Sequence, residues 1–236
     1  MNHIMTKGSL LAPARTRRRG IPTVEATTRQ DRRKLRTRAR LIAAARTVVG
    51  RKGAAETTIL DFTEEADVGF GTFYNYFDSK DAILAATSAE VVEEHGAALD
   101  RLTAPLTDDA EVIAICVRHT ARTVDVDPLW AWFAVRVGLF EERIEAGLGP
   151  RLTRDVRRGM ERKRFPQGNV ELLSRTIGAA VAAVLRGKLA GELGADADRD
   201  LAAVVLRILG IAPAEARDIA NRPLPAVDTI KGDSHP

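Results

Sequence analysis

The sequence predicts an all-α fold, and three observations carry that prediction. Apolar residues recur at three- and four-residue spacing along most of the chain, the period of a helix with one buried face. Alanine, leucine, valine and arginine dominate, whereas there are only 2 tyrosines, a mix that favours helix over strand. Helix-start residues (Thr58, Ser79, Pro128) and helix-stop residues (Gly50, Gly53, Gly194) divide the periodic stretches. The expected layout is a flexible arm at 1–30, a three-helix unit at 31–82, a larger helical unit at 83–221 and a tail at 222–236.

The 236 residues suffice for a small domain plus a larger one. At 45% apolar and 29% charged, the composition is that of an ordinary globular protein. The net charge of +4 is unevenly placed. Up to Arg40 there are twelve Lys and Arg against Glu25 and Asp31, so this stretch carries +10 and the rest −6. A basic segment on an acidic body suggests a polyanionic partner at one end; a solvated tail with no specific partner is the alternative. One cysteine, Cys116, excludes an internal disulfide and a cysteine metal cluster. No stretch approaches the roughly 20 apolar residues of a membrane span. No signal-peptide core follows the N-terminal charges, so the cytoplasm is the expected compartment.

In chain order, Leu35, Ala39, Ile42, Ala45 and Val49 mark an amphipathic helix from Asp31, with Arg32, Arg33, Arg36 and Arg40 off its stripe. Thr58 opens the next, and Asp61 three residues on approximates a capping box. Ile59, Phe62, Thr63 and Ala66 form its inner face, 67–69 interrupt, and a short helix is expected over 72–77. Ser79 caps a long helix from Lys80 past Leu99. Further helices are expected over 108–124, from Pro128 through Phe140, over 151–164, 169–193 and 198–209, with Gly147, Gly149 and Pro150 as breakers and a short turn after Pro213.

The two short helices at 58–77 with a tight break make a helix-turn-helix, whose second helix can enter a DNA major groove. Ala66 is small at the crossing and Val68 plugs the core. Phe73 and Phe77 face inward, which leaves Thr72, Asn75 and Tyr76 outward. Asn75 can contact adenine N6 and N7. Thr72 can reach a phosphate or base edge, and Tyr74 and Tyr76 can donate to phosphates. Lys80 sits at a helix N-terminus, which favours phosphate. The preceding basic helix and arm add sequence-independent affinity.

Residues 35–84 resemble the DNA-binding domain of the TetR family of bacterial regulators. The resemblance rests on Ala43-Ala44-Ala45, Thr58-Ile59, Glu65-Ala66-Asp67-Val68, Gly71-Thr72-Phe73-Tyr74, Tyr76-Phe77 and Ser79-Lys80-Asp81-Ala82-Ile83-Leu84. It implies a DNA-binding domain followed by a helical ligand-binding and dimerisation domain, a homodimer, a two-half-site operator and a ligand that lowers DNA affinity. It places the DNA contacts at Thr58, Thr72, Tyr74, Asn75, Tyr76 and Lys80. Three positions depart from the family pattern. Asp67 stands for a usual glycine and tolerates a left-handed conformation. Gly69 stands for a capping serine, which weakens that helix start. Phe70 stands where a polar residue or proline is common; it can touch a thymine methyl or pack inside, and the sequence leaves both roles open.

In the larger unit, 169–193 and 198–209 are the expected dimer helices, with Gly178, Ala179, Ala182, Ala183 and Gly187 allowing close approach. Trp130, Phe133, Val137 and Phe140, with Cys116 and His119 on the preceding helix, are the candidate lining of a ligand cavity. Plain core is the alternative for the aromatics. A ligand there is expected to be small and mostly apolar, because few buried charges are evident. No cofactor, metal set, nucleophile elbow or phosphate loop is found, so the chain reads as a regulator and not an enzyme. The expectation is a repressor; the alternative is an activator or architectural DNA-binding protein.

Overall fold

The computed structural model describes residues 29–140 and 148–226. The arm reading for 1–28, the breaker Gly147 and the tail past 226 lie outside the described residues. Among those described there are ten helices and no strand, so the all-α prediction holds.

The first helix, α1 (Arg29–Lys52), buries Leu41, Ile42, Ala45, Val48 and Val49. Leu35, placed on that stripe by periodicity, is 61% exposed. The helix runs on beyond the elements it packs against, so its first turns stand in solvent. Gly50 lies inside the helix, not at its end. A Cβ there would meet the Leu129 carbonyl oxygen at 3.2 Å, so glycine permits the close approach of the following domain. The stop is Gly53 at φ +90°.

Thr58 caps α2 (Ile59–Glu65), and the capping box with Asp61 is complete. Lys52 reaches the Asp61 carboxylate at 2.5 Å. That bond, with those from the Thr58 N–H and hydroxyl, pulls the Asp61 carboxyl down to about 2. Asp67 adopts φ +48°, as the departure from glycine requires. Arg40 holds the turn by donating to the carbonyls of Ala66 and Asp67, at 2.5 and 3.0 Å. The next helix, α3 (Phe70–Phe73), begins two residues before the predicted 72. Gly69 precedes it in an extended conformation and supplies no side-chain cap. It continues as a turn in which Tyr76 N–H and Phe77 N–H both reach the Phe73 carbonyl. Ser79 caps α4 (Lys80–Thr103), which leads out of this three-helix head.

The body is built around α5 (Asp109–Val126), which packs against α6 (Pro128–Arg136), α7 (Gly149–Glu161), α8 (Val170–Leu189), α9 (Ala197–Ile208) and α10 (Pro213–Asn221). Three boundaries differ from the sequence reading. α6 stops before Phe140 because Gly138 takes φ +66°. Gly149 and Pro150 form the first turn of α7 and do not break a helix. α8 ends before 193, where Gly191 at φ +74° turns Leu193 back to within 2.7 Å of a Cβ built on Gly187.

Arginines bind the helices together. Arg151 reaches Glu93 and Asp100, Arg154 reaches Asp100 and Asp155, and Arg158 reaches Asp109 and Asp155. Arg118 pairs with Asp198 at 3.0 Å, both side chains no more than 5% exposed. The Arg118 guanidinium also donates to the Arg222 carbonyl, fastening the chain after α10 onto α5. Head meets body chiefly where α1 packs on α6. There Arg46 pairs with Asp127, and Arg136 donates to the Gly50 carbonyl at 2.9 Å.

Candidate DNA interface and ligand cavity

The recognition segment presents a graded surface. Phe62, Phe73 and Phe77 are buried, and on them rests a layer of outward side chains. Tyr74 is 50% exposed and Asn75 is exposed. Thr72 is half-buried and lines the groove between α1 and α3. That groove is also walled by Arg29, Arg32, Arg33, Arg36 and Arg40, so a positive rim flanks the recognition helix. Phe70 lies on the outer surface, 49% exposed.

The other three predicted contacts are more engaged within the chain. Tyr76 is half-buried and packs on the core. The Thr58 hydroxyl donates to Asp61 at 2.8 Å and accepts the Asp61 N–H. Lys80 Nζ donates to the carbonyls of Ala54 and Thr57, both at 3.0 Å. A phosphate contact by that amine competes with those carbonyls, so Lys80 also holds the α1–α2 loop beside the recognition segment.

The body contains a cavity of about 70 Å³ between α4, α5, α7 and α8. Its walls are mainly aliphatic, with Leu99, Ile113, Val117, Leu139, Ile177 and Val181. One end carries charge: Asp100, Arg151 and Asp155. Asp155 is 4% exposed and accepts from Arg154 and Arg158. Burial pushes the Asp100 carboxyl up, but the hydrogen bonds from Arg154 and Arg151 outweigh it and hold it below its ordinary value. The Asp100 bond in turn raises the Arg151 guanidinium. This end is therefore a fixed set of acceptors and donors at the edge of an apolar box.

Of the predicted lining residues, Cys116 and Phe140 face the cavity. Burial, and then the nearby Asp155 and Asp100, pushes the Cys116 thiol up to about 12, so it is an inert wall. Phe133 is fully buried core and Val137 is buried. Trp130 packs on His95 at 4.6 Å and edge-on to Phe140 at 6.4 Å, backing the wall without lining it. His119 lies where Pro225 crosses α5, away from the cavity, and burial lowers its ring's pKa. Its Nε2 is buried without a partner. His95 Nε2 instead meets Thr120 Oγ1 at 3.0 Å, and that hydroxyl donates to the Cys116 carbonyl. Thr120 therefore accepts from the ring N–H. Burial, then the charge of His119, lowers the His95 ring to about 4, so it is neutral near pH 7.

The sequence reading missed Asp100, Arg151 and Asp155. A signal existed: Arg151 and Asp155 stand four apart on the highly charged α7, hence on one face. Nothing local says that this face turns inward. The small residues assigned to dimer contact divide similarly. Gly178, Ala182 and Gly187 are buried within the chain, while Ala179 and Ala183 lie exposed on α8 with Leu172, 61% exposed. Val204 of α9 is 48% exposed.

Comparison with known proteins bears on both sites. Residues 41–87 match the model for bacterial regulatory proteins of the tetR family. Residues 108–222 match a tetracyclin repressor-like C-terminal domain. The chain is similar to the regulator RolR, solved with resorcinol, at 36% identity and TM-score 0.68, over 83% of this chain and 98% of that one. It shares its fold with FadR of Bacillus subtilis, solved with stearoyl-CoA, at 18% identity and TM-score 0.58, over 73% of this chain and 95% of that one. A FadR from Bacillus halodurans aligns at 21% identity and TM-score 0.57, over 74% and 93% of the two chains. A search of curated proteins returned no match.

Proposed function

The chain belongs to the TetR family of bacterial regulators, DNA-binding proteins with a helix-turn-helix, and on that premise we propose that it is a homodimeric repressor released from its operator by a small hydroxylated aromatic compound. The observation that carries the ligand class is the cavity: aliphatic walls with Asp100, Arg151 and Asp155 at one end. Apolar walls suit the faces of a ring, and paired carboxylates and a guanidinium suit ring hydroxyls. The 36%-identical RolR binds resorcinol, a molecule of that class. At about 70 Å³ the cavity is also too small for an acyl chain. An engineered cavity of about 150 Å³ holds one benzene ring, so even one ring requires the walls to move outward.

That movement supplies the release. The wall includes Leu99 and Asp100 of α4 and Leu139 and Phe140 just past α6. α4 leads directly into the recognition unit, and α6 grips the end of α1 through Arg136. Displacing either helix reorients the head. The dimer forms through the open faces of α8 and α9, where Leu172, Ala179, Ala183 and Val204 lie exposed. It sets two recognition helices about 34 Å apart for a palindromic operator. Thr72, Tyr74 and Asn75 are the principal DNA contacts. Thr58, Tyr76 and Lys80 position the segment as well as reaching for phosphate. A regulator of this kind acts in the bacterial cytoplasm, where the DNA is.

The test is a fluorescence-anisotropy titration of protein on DNA from upstream of its own and neighbouring genes, followed by addition of resorcinol and its hydroxylated relatives. Release at sub-millimolar ligand is expected, and Asp100→Asn is expected to keep operator affinity while losing that response. If no single-ring phenol shifts either DNA binding or thermal midpoint, the ligand assignment fails.

A further inference from the structure

We infer that Phe70 is a base-reading residue whose ring receives the C5-methyl group of a thymine in the major groove. The inference rests on the operator reading above and names what part of α3 reads. Sequence alone left Phe70 the choice between core and surface. In the head Phe62, Phe73 and Phe77 are at most 6% exposed, whereas Phe70 is 49% exposed, so its ring is not core. Nor is it loose. Phe70 packs edge-on to Tyr74 at 5.8 Å, and Tyr74 packs edge-on to buried Phe73 at 5.4 Å. The core thus extends outward through Tyr74 to a ring held in place at the surface.

The flanking glycines say what covers that ring. A Cβ on Gly71 would meet nothing within 4 Å, and one on Gly69 would meet only Thr72 Oγ1 at an ordinary 3.6 Å. Neither has a positive φ. Packing and backbone conformation within the chain therefore require glycine at neither position. Bare backbone on both sides of an exposed aromatic suits a partner that approaches α3 closely. The partner's charge follows from the neighbouring groove, walled by Arg29, Arg33 and Arg36 beside Gly69 and Thr72. A polyanion lying there presents its major groove to Phe70. A phenyl ring can neither donate to nor accept from base edges, and the one apolar group on those edges is the thymine methyl. Asn75, exposed on the same segment, reads by hydrogen bonding, so the two residues divide the work.

The experiment starts from an operator selected from random duplexes by the full-length protein. Each thymine is then replaced by deoxyuridine, which removes only the methyl, and affinity is measured for the wild type, Phe70→Ala and Phe70→Leu. The wild type is expected to lose about four-fold at one thymine per half-site, the worth of one buried methyl group. Phe70→Ala should show no loss at that position, and Phe70→Leu a partial one. Two results overturn the inference: a uracil penalty that is the same in Phe70→Ala as in the wild type, or no penalty at any thymine in the wild type. Failure to select any operator overturns the operator reading itself, and this inference with it.

Discussion

The first turns of α1 and the body use arginine in opposite ways. Along the first turns of α1, Arg29, Arg33 and Arg36 are exposed around a groove, adding a concentrated positive field. In the body, Arg118, Arg151, Arg154 and Arg158 each meet a carboxylate on another helix. A solvated arginine contributes little to the fold but acts at a distance on a polyanion. A paired arginine is neutralised at range and sets the distance between two helices. The chain carries +10 up to Arg40 and −6 beyond it, so its unbalanced positive charge lies toward the N-terminal end.

Breaking the contrast at its strongest point gives the largest effect. Arg118→Ala leaves Asp198 buried and unpaired and releases the chain at Arg222, and a loss of about 3–5 kcal/mol is expected in urea denaturation. The same substitution at Arg36 should leave the urea midpoint unchanged.

Acid is the next largest probe. His95 takes a proton only near pH 4 in the fold but near 6.5 when unfolded. Its stabilising contribution is therefore complete above 6.5 and declines as pH falls to 4, up to about 3 kcal/mol in all. Burial lowers the His119 ring too and adds in the same direction. Carboxylates held below 3.8, such as Asp100 and Asp108, lose their contribution only at lower pH. Thermal midpoints from pH 7 to 4.5 should fall less steeply in His95→Gln, and an unchanged slope would place the buried titration elsewhere.

Smaller effects sharpen the head. Asn75→Ala is expected to cost about 1–3 kcal/mol on the operator and little on random DNA. Arg36→Ala should weaken both alike and reduce the slope of log affinity against log salt by about 0.9, one phosphate's worth. Equal losses for Asn75→Ala on both DNAs would mean that it, too, only meets the backbone.

The division between head and body also runs through what could be read in advance. The capping box of Thr58 and Asp61, the left-handed Asp67 and the inward pair Phe73 and Phe77 depend on neighbours within four residues, and all appear as the sequence indicates. The exceptions in the head are long-range. The direction of Phe70, the exposure of Leu35 and the Lys80 contacts with Ala54 and Thr57 depend on which segments stop short and which pass close. In the body the aromatics of α6 were legible as a group, but Trp132 stacks under Arg136 at 4.5 Å and Phe133 is core.

Sequence by itself determined that the protein is helical, where its helix-turn-helix lies and which end carries the excess positive charge, because periodicity, caps and charge counts are local quantities. Tertiary structure alone decided that Asp100, from the end of α4, would meet Arg151, from the start of α7, at the edge of an apolar cavity that Asp155 also lines. A charged helix face reads the same whether it meets water or a neighbour. Only the packing of α4, α5, α7 and α8 turns it inward.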